Sequence, residues 1–138
     1  MSQIVATIGK IESVESLNVV TFVSNGSRLT MVSLELDEEV SVGRNVTLSC
    51  KPTSVALAKP EILKKEGEML SYANQIAVTI TSVTKGKLLS SVLLRFGDAI
   101  LEALIITASL EQMGLKEGDA AIALIKVSDL SILEVLDD

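Results

Sequence analysis

The residues best suited to chemistry are two lysines at matched places, each followed by hydroxyls. Lys126 interrupts the apolar run "AAIALIKVSDLSIL", where a buried strand would carry no charge, and Ser128 stands two residues after it. Lys51, 75 residues earlier, interrupts "NVTLSCKPTSVAL" and is followed by Pro52, Thr53 and Ser54. An ammonium group, hydroxyls and the backbone N–H groups of a strand exit together form a donor set that suits an anion with oxygen acceptors. A lone lysine at a strand end has a simpler reading, with its stem on apolar surface and its head in water. The recurrence of Lys followed by hydroxyls makes both positions candidate ligands.

The elements that would carry them repeat along the chain. "QIVATI" at 3–8 returns as "QIAVTI" at 75–80, an offset of 72 residues, while Gly43, Lys51, Thr53 and Leu57 return as Gly118, Lys126, Ser128 and Ile132, an offset of 75. The two offsets differ by three, so the first copy lacks three residues between its third and fourth strands. Each copy reads as β-rich runs, at 3–12, 17–24 and 27–36 and again at 74–84, 87–96 and 99–107. The turn signals "SNGS" and "FGDA" mark hairpins between the second and third runs. A glycine turn, "VGRN" or "EGDA", then opens a fourth strand, and a short fifth follows the lysine.

In the second copy "SLEQMGL" adds a turn of helix, with Ser109 and Gln112 at capping-box spacing and Gly114 placed to close it. The expected fold is all-β with a short helix per unit: two tandem OB-fold-like five-stranded β-barrels. Their bounds are 1–60 and 72–138, with 61–71 as a charged linker whose Lys64 and Lys65 are solvated. Units this small have modest cores, so tight docking and oligomerisation are expected.

Composition narrows the function classes. Among 138 residues there is no His, which removes Ser-His-Asp catalysis and His metal ligation, and only one Cys, which removes an internal disulfide and a Cys-rich zinc site. Cys50 reads as a small buried strand residue. Two Phe, one Tyr and no Trp leave the core to aliphatic residues and offer no stacking platform for nucleic acid. Twelve basic against eighteen acidic residues give a net charge of −6, which disfavours phosphate-backbone binding. Glu102 breaks the most apolar stretch, "AILEALIITASL", so no membrane span is expected, and no signal-peptide pattern opens the chain. A cytoplasmic, non-enzymatic protein with no nucleic-acid or membrane partner is the reading.

The segment "LSYANQIAVTITSVTKG … ALIITASLEQMGLKEGDAAIALIKVSDLSIL" resembles the Mop, or molybdate-binding TOBE, domain. The family's signature is an N-terminal Ser-x-Arg-Asn-Gln motif, a hydroxyl-bearing segment, "GLKEGD", and a strand ending in Lys before small or hydroxyl residues, and the second copy matches most of it. The first copy is similar more weakly, through "QIVATIGKI" and "CKPTSVALAK". Two such units resemble a di-Mop molbindin. That resemblance implies molybdate or tungstate as the bound ligand, no organic cofactor, and a homo-oligomer, a trimer of tandem units, with oxyanions held between units.

It also implies particular residues. Lys126, Val127 and Ser128 fall on the lysine-containing ligand strand, Ser71 on the serine of the N-terminal motif, and Ser109 on the serine of the hydroxyl segment. Thr107 lies one place from the family's threonine, whose ungapped position holds Ile106. In the first copy Lys51, Pro52, Thr53 and Ser54 occupy the lysine segment. Ala73 replaces the motif's arginine, and the first copy, which starts at Met1, offers no Ser-x-Arg segment.

The expected function is a molybdate/tungstate-binding protein for storage, buffering or delivery. The alternative is a ligand-sensing or protein-interaction TOBE module with weak or lost oxyanion binding. Neither a winged-helix segment nor a "GxxxxGK[ST]" loop is present, so DNA binding and ATP hydrolysis are not expected of this chain.

Overall fold

The computed structural model describes residues 2–62 and 69–137. Lys64, Lys65 and much of the expected linker lie outside the described residues. The first half supplies β1 (Ser2–Val14), β2 (Leu17–Ser24), β3 (Ser27–Ser33), β4 (Asn45–Cys50) and β5 (Ala56–Ala58). The second supplies β6 (Asn74–Thr84), β7 (Leu89–Phe96), β8 (Ala99–Ile106), helix α1 (Thr107–Met113), β9 (Ala120–Ile125) and β10 (Ser131–Val135).

The repeat is visible in backbone detail. The ladder of β1 with β2 slips between Ile8 and Lys10, and that of β6 with β7 slips between Ile80 and Ser82, at the offset of 72 residues read from the sequence. Gly43 N–H donates to the Ile8 carbonyl and Gly118 N–H to that of Ile80, both at 2.8 Å. These two glycines have φ of 94° and 91°, where an L side chain is strained, so both turns require glycine.

All paired strands are antiparallel and form two five-stranded sheets, ordered β10-β4-β1-β2-β3 and β5-β9-β6-β7-β8. Strand number and pairing sense match the sequence reading, whereas each hydrogen-bonded ladder runs between two edges rather than around a circle. The fifth strands are exchanged. β10 pairs with β4, Ser131 opposite Ser49, and β5 pairs with β9, Ala56 opposite Leu124. Each half therefore completes the sheet of the other.

Alternation along β1 buries Ile4, Ala6 and Ile8 and exposes Gln3, Val5 and Thr7, the period-2 pattern of a strand with one face on the core. β4 and β9 are instead buried almost throughout, because each is flanked by a strand from either half. Ile4, Phe22 and Leu48 share one apolar cluster with Ile76, Leu94 and Ile125. A common core resolves the difficulty of two marginal units, since each fully buried aliphatic side chain contributes about 1.5–3 kcal/mol.

Two expectations about helices need correction. The first half has no helix between β3 and β4; residues 34–44 run as turns and irregular chain. In the second half the helix starts before Ser109, which is the third residue of α1, and the N-cap is Ile106, with no side-chain cap. The capping box is absent because Thr107 already begins the helix and turns its hydroxyl toward the Gly86 carbonyl, at 2.9 Å. Gly114 closes the helix in the left-handed conformation, as its sequence position implied, and its N–H reaches the carbonyls of Leu110 and Glu111.

Candidate functional site

Both lysine segments leave their strands through the same short turn. Lys51 precedes a 3₁₀ turn over Pro52–Ser54, and Lys126 precedes one over Val127–Asp129. The lysine backbones match closely, with φ/ψ of −78°/144° and −69°/151°. In each turn the lysine carbonyl accepts a backbone N–H three residues on, from Ser54 at 2.9 Å and from Asp129 at 3.0 Å. Among the described residues neither lysine forms an ion pair.

Strand exchange brings the two turns together. Because β10 lies on β4, the turn ahead of β10 reaches the exit of β4, where a pocket of about 300 Å³ is lined by Ser49, Cys50, Lys51, Ser54, Ser128, Asp129 and Ser131. One lysine and four serines line this space, drawn from both halves. The Ser49 and Ser131 hydroxyls are 3.4 Å apart across the ladder. A larger cavity, about 480 Å³, lies along β1 and β2 near Asp98, but no Lys or Arg lines it, so it lacks the charge an oxyanion requires.

Electrostatically the pocket is mixed. Burial, reinforced by the Asp129 carboxylate, pushes the Cys50 thiol up to about 11, so at neutral pH it is a protonated, weakly polar wall. Asp129 brings a negative charge beside Lys51, and no described group hydrogen-bonds to its carboxylate.

The other residues singled out in the sequence lie elsewhere. Lys126 is exposed and does not line the pocket, nor do Val127, Pro52 and Thr53. Ser71 is exposed just before β6. Thr107 is 4% exposed and its hydroxyl is engaged, 2.7 Å from that of Ser90 and 2.9 Å from the Gly86 carbonyl. Ser109 is half-buried on α1. Sequence reasoning missed Ser49, Cys50, Asp129 and Ser131. The repeat register, which sets Asp129 against Ser54, carried a signal for Asp129, whereas the two serines join the site only through the exchanged strand.

Residues 70–132 match the family model of the TOBE domain. Among solved structures the chain is similar to the cytoplasmic molybdate-binding protein ModG, in a crystal form with molybdate bound. The TM-score is 0.83 at 21% sequence identity, over 94% of this chain and 93% of that one. No curated protein sequence matches. Among the described residues no helix is long and apolar enough to cross a membrane, and no group of three or more His, Cys, Asp or Glu could hold a metal ion.

Proposed function

We propose that this chain is a non-enzymatic, cytoplasmic binding protein for molybdate or tungstate, serving storage, buffering or delivery. The observation that carries the reading is the convergence of Lys51 and Ser54 from one repeat with Ser128 from the other in a single pocket. A tetrahedral dianion has only acceptor oxygens and requires several donors, including a cation, which this set supplies. The likeness to ModG supports the fold and is consistent with the ligand. The equivalent turn around Lys126, with Val127, is the second candidate site, and Ser71, Ser109, Thr107, Pro52 and Thr53 are secondary candidates for contacts in the assembled protein.

Assembly belongs to the same reading. Leu17 and Leu34, at 45% and 69% exposure, occupy places in the first half that Leu89 and Ile106, at 50% and 58%, occupy in the second. Paired apolar patches at repeat-related positions favour contacts between copies. We place three chains in the assembly, with the repeats bounded at 1–60 and 72–138 and each OB-type sheet completed by the other repeat's last strand. The reading is tested by thermal unfolding with molybdate, tungstate or sulfate, together with light scattering. Stabilisation by the group-6 oxyanions and a trimer mass are expected; no stabilisation would remove the ligand, and a monomer at micromolar concentration would remove the assembly.

A further inference from the structure

The Lys51 pocket contains one group that an anion site does not need. Asp129 takes the place in the second turn that Ser54 takes in the first, so one turn presents a hydroxyl where the other presents a carboxylate. Strand exchange then sets that carboxylate in the same pocket as Lys51, Ser54 and Ser128. Its charge is felt there, since it contributes to the raised Cys50 thiol. Its backbone N–H is held by the Lys126 carbonyl, which fixes the turn, while no described side chain or backbone donor satisfies its carboxylate.

A carboxylate is an acceptor and a negative charge. Toward a fully deprotonated oxyanion, such as molybdate or sulfate at neutral pH, it offers only repulsion. Toward an oxyanion that keeps a proton, such as hydrogen phosphate, it accepts a charge-assisted hydrogen bond from the ligand O–H. Lys51 and the serines treat both ligands alike, because they can donate to either. The discrimination therefore falls on Asp129.

We propose that Asp129 is a specificity-determining residue of the Lys51 pocket, restraining its affinity for fully deprotonated dianions relative to oxyanions that carry a proton. The proposal rests on the oxyanion-binding reading above and adds the residue that sets its selectivity. Asp129→Ser recreates the Ser54 arrangement, and Asp129→Asn keeps the shape while removing the charge.

The test is calorimetric titration of the full chain and both variants with molybdate, sulfate and inorganic phosphate at pH 7, with thermal unfolding as a check of folding. Removing the charge is expected to tighten molybdate and sulfate by about tenfold, the effect of one nearby like charge partly screened by water. Phosphate is expected to gain less or to weaken, so the ratio of molybdate to phosphate affinity rises in both variants. Binding with an unchanged ratio, or weaker molybdate binding in folded variants, overturns the role of Asp129 alone. No binding of any oxyanion by wild type or variants overturns the oxyanion reading and this proposal together.

Discussion

Asn74 holds Thr30 with both atoms of its amide: Oδ1 accepts the Thr30 N–H at 2.6 Å and Nδ2 donates to the Thr30 carbonyl at 2.9 Å. Asn74 is fully buried, and Thr30 lies on β3, the edge of the other sheet. The side chain thus acts as a one-residue strand that satisfies an edge the ladder leaves open. The repeat-related contact, at the offset of 72, is Ser2 Oγ accepting the Glu102 N–H at 2.8 Å. The halves are joined by this pair of contacts as well as by exchanged strands.

Asn74→Ala leaves two backbone groups of Thr30 without partners next to the common core. A loss of about 2–4 kcal/mol is expected, since each buried unsatisfied group costs about 1–3 kcal/mol. Urea unfolding measures it, and a loss below half a kilocalorie would show that water replaces the amide freely.

Gly43 and Gly118 have open space where a Cβ would stand, so alanine there meets only backbone strain. Each Gly→Ala change should cost about 1–2 kcal/mol, and the two should cost nearly the same because the turns are repeats. Unequal losses in thermal unfolding would count against the equivalence of the two halves.

Thr107→Val removes the hydroxyl that ties Ser90 and the Gly86 carbonyl to the start of α1. A loss of about 1–3 kcal/mol is expected. If stability is unchanged while oxyanion affinity falls, Thr107 is a ligand and not a tie.

Cys50 should react slowly with alkylating reagents in the folded protein. Raising its pKa from 9.0 to about 11 lowers the thiolate fraction near pH 8 by roughly a hundredfold, before burial slows access further. The sign for stability follows. Below pH 9 the thiol is protonated in both folded and unfolded chains and costs nothing; between about 9 and 11 only the unfolded chain ionises, so stability falls as pH rises. Alkylation at the rate of a free thiol in native buffer would contradict this burial.

Much of this was legible in the sequence because the informative residues are those whose chemistry admits few places. Gly43 and Gly118 announce positive-φ turns, Lys51 and Lys126 announce strand exits, and the bulges after Ile8 and Ile80 reproduce the 72-residue offset read from "QIVATI" and "QIAVTI". The strand exchange was not legible. β5 is three residues, "ALA", and β10 is "SILEV", and nothing in such short apolar segments says which fourth strand they join. The pocket inherits that blind spot, since Ser128, Asp129 and Ser131 meet Lys51 only because β10 lies on β4. The N-cap was misplaced by three residues, at Ser109 rather than Ile106, because Ser109 and Gln112 have capping-box spacing, while the hydroxyl partners of Thr107 are distant in sequence.

The central claim is that the two Lys turns make an oxyanion site, with Lys51 supplying its charge. Calorimetric titration of the full chain with molybdate, repeated for Lys51→Ala, tests it most directly. Saturable binding by the wild type is expected, weakened in Lys51→Ala by roughly ten- to a hundredfold, the effect of losing a charge-assisted contact worth about 1.5–3 kcal/mol. Equal affinity in the two proteins, or no heat in either, would contradict it.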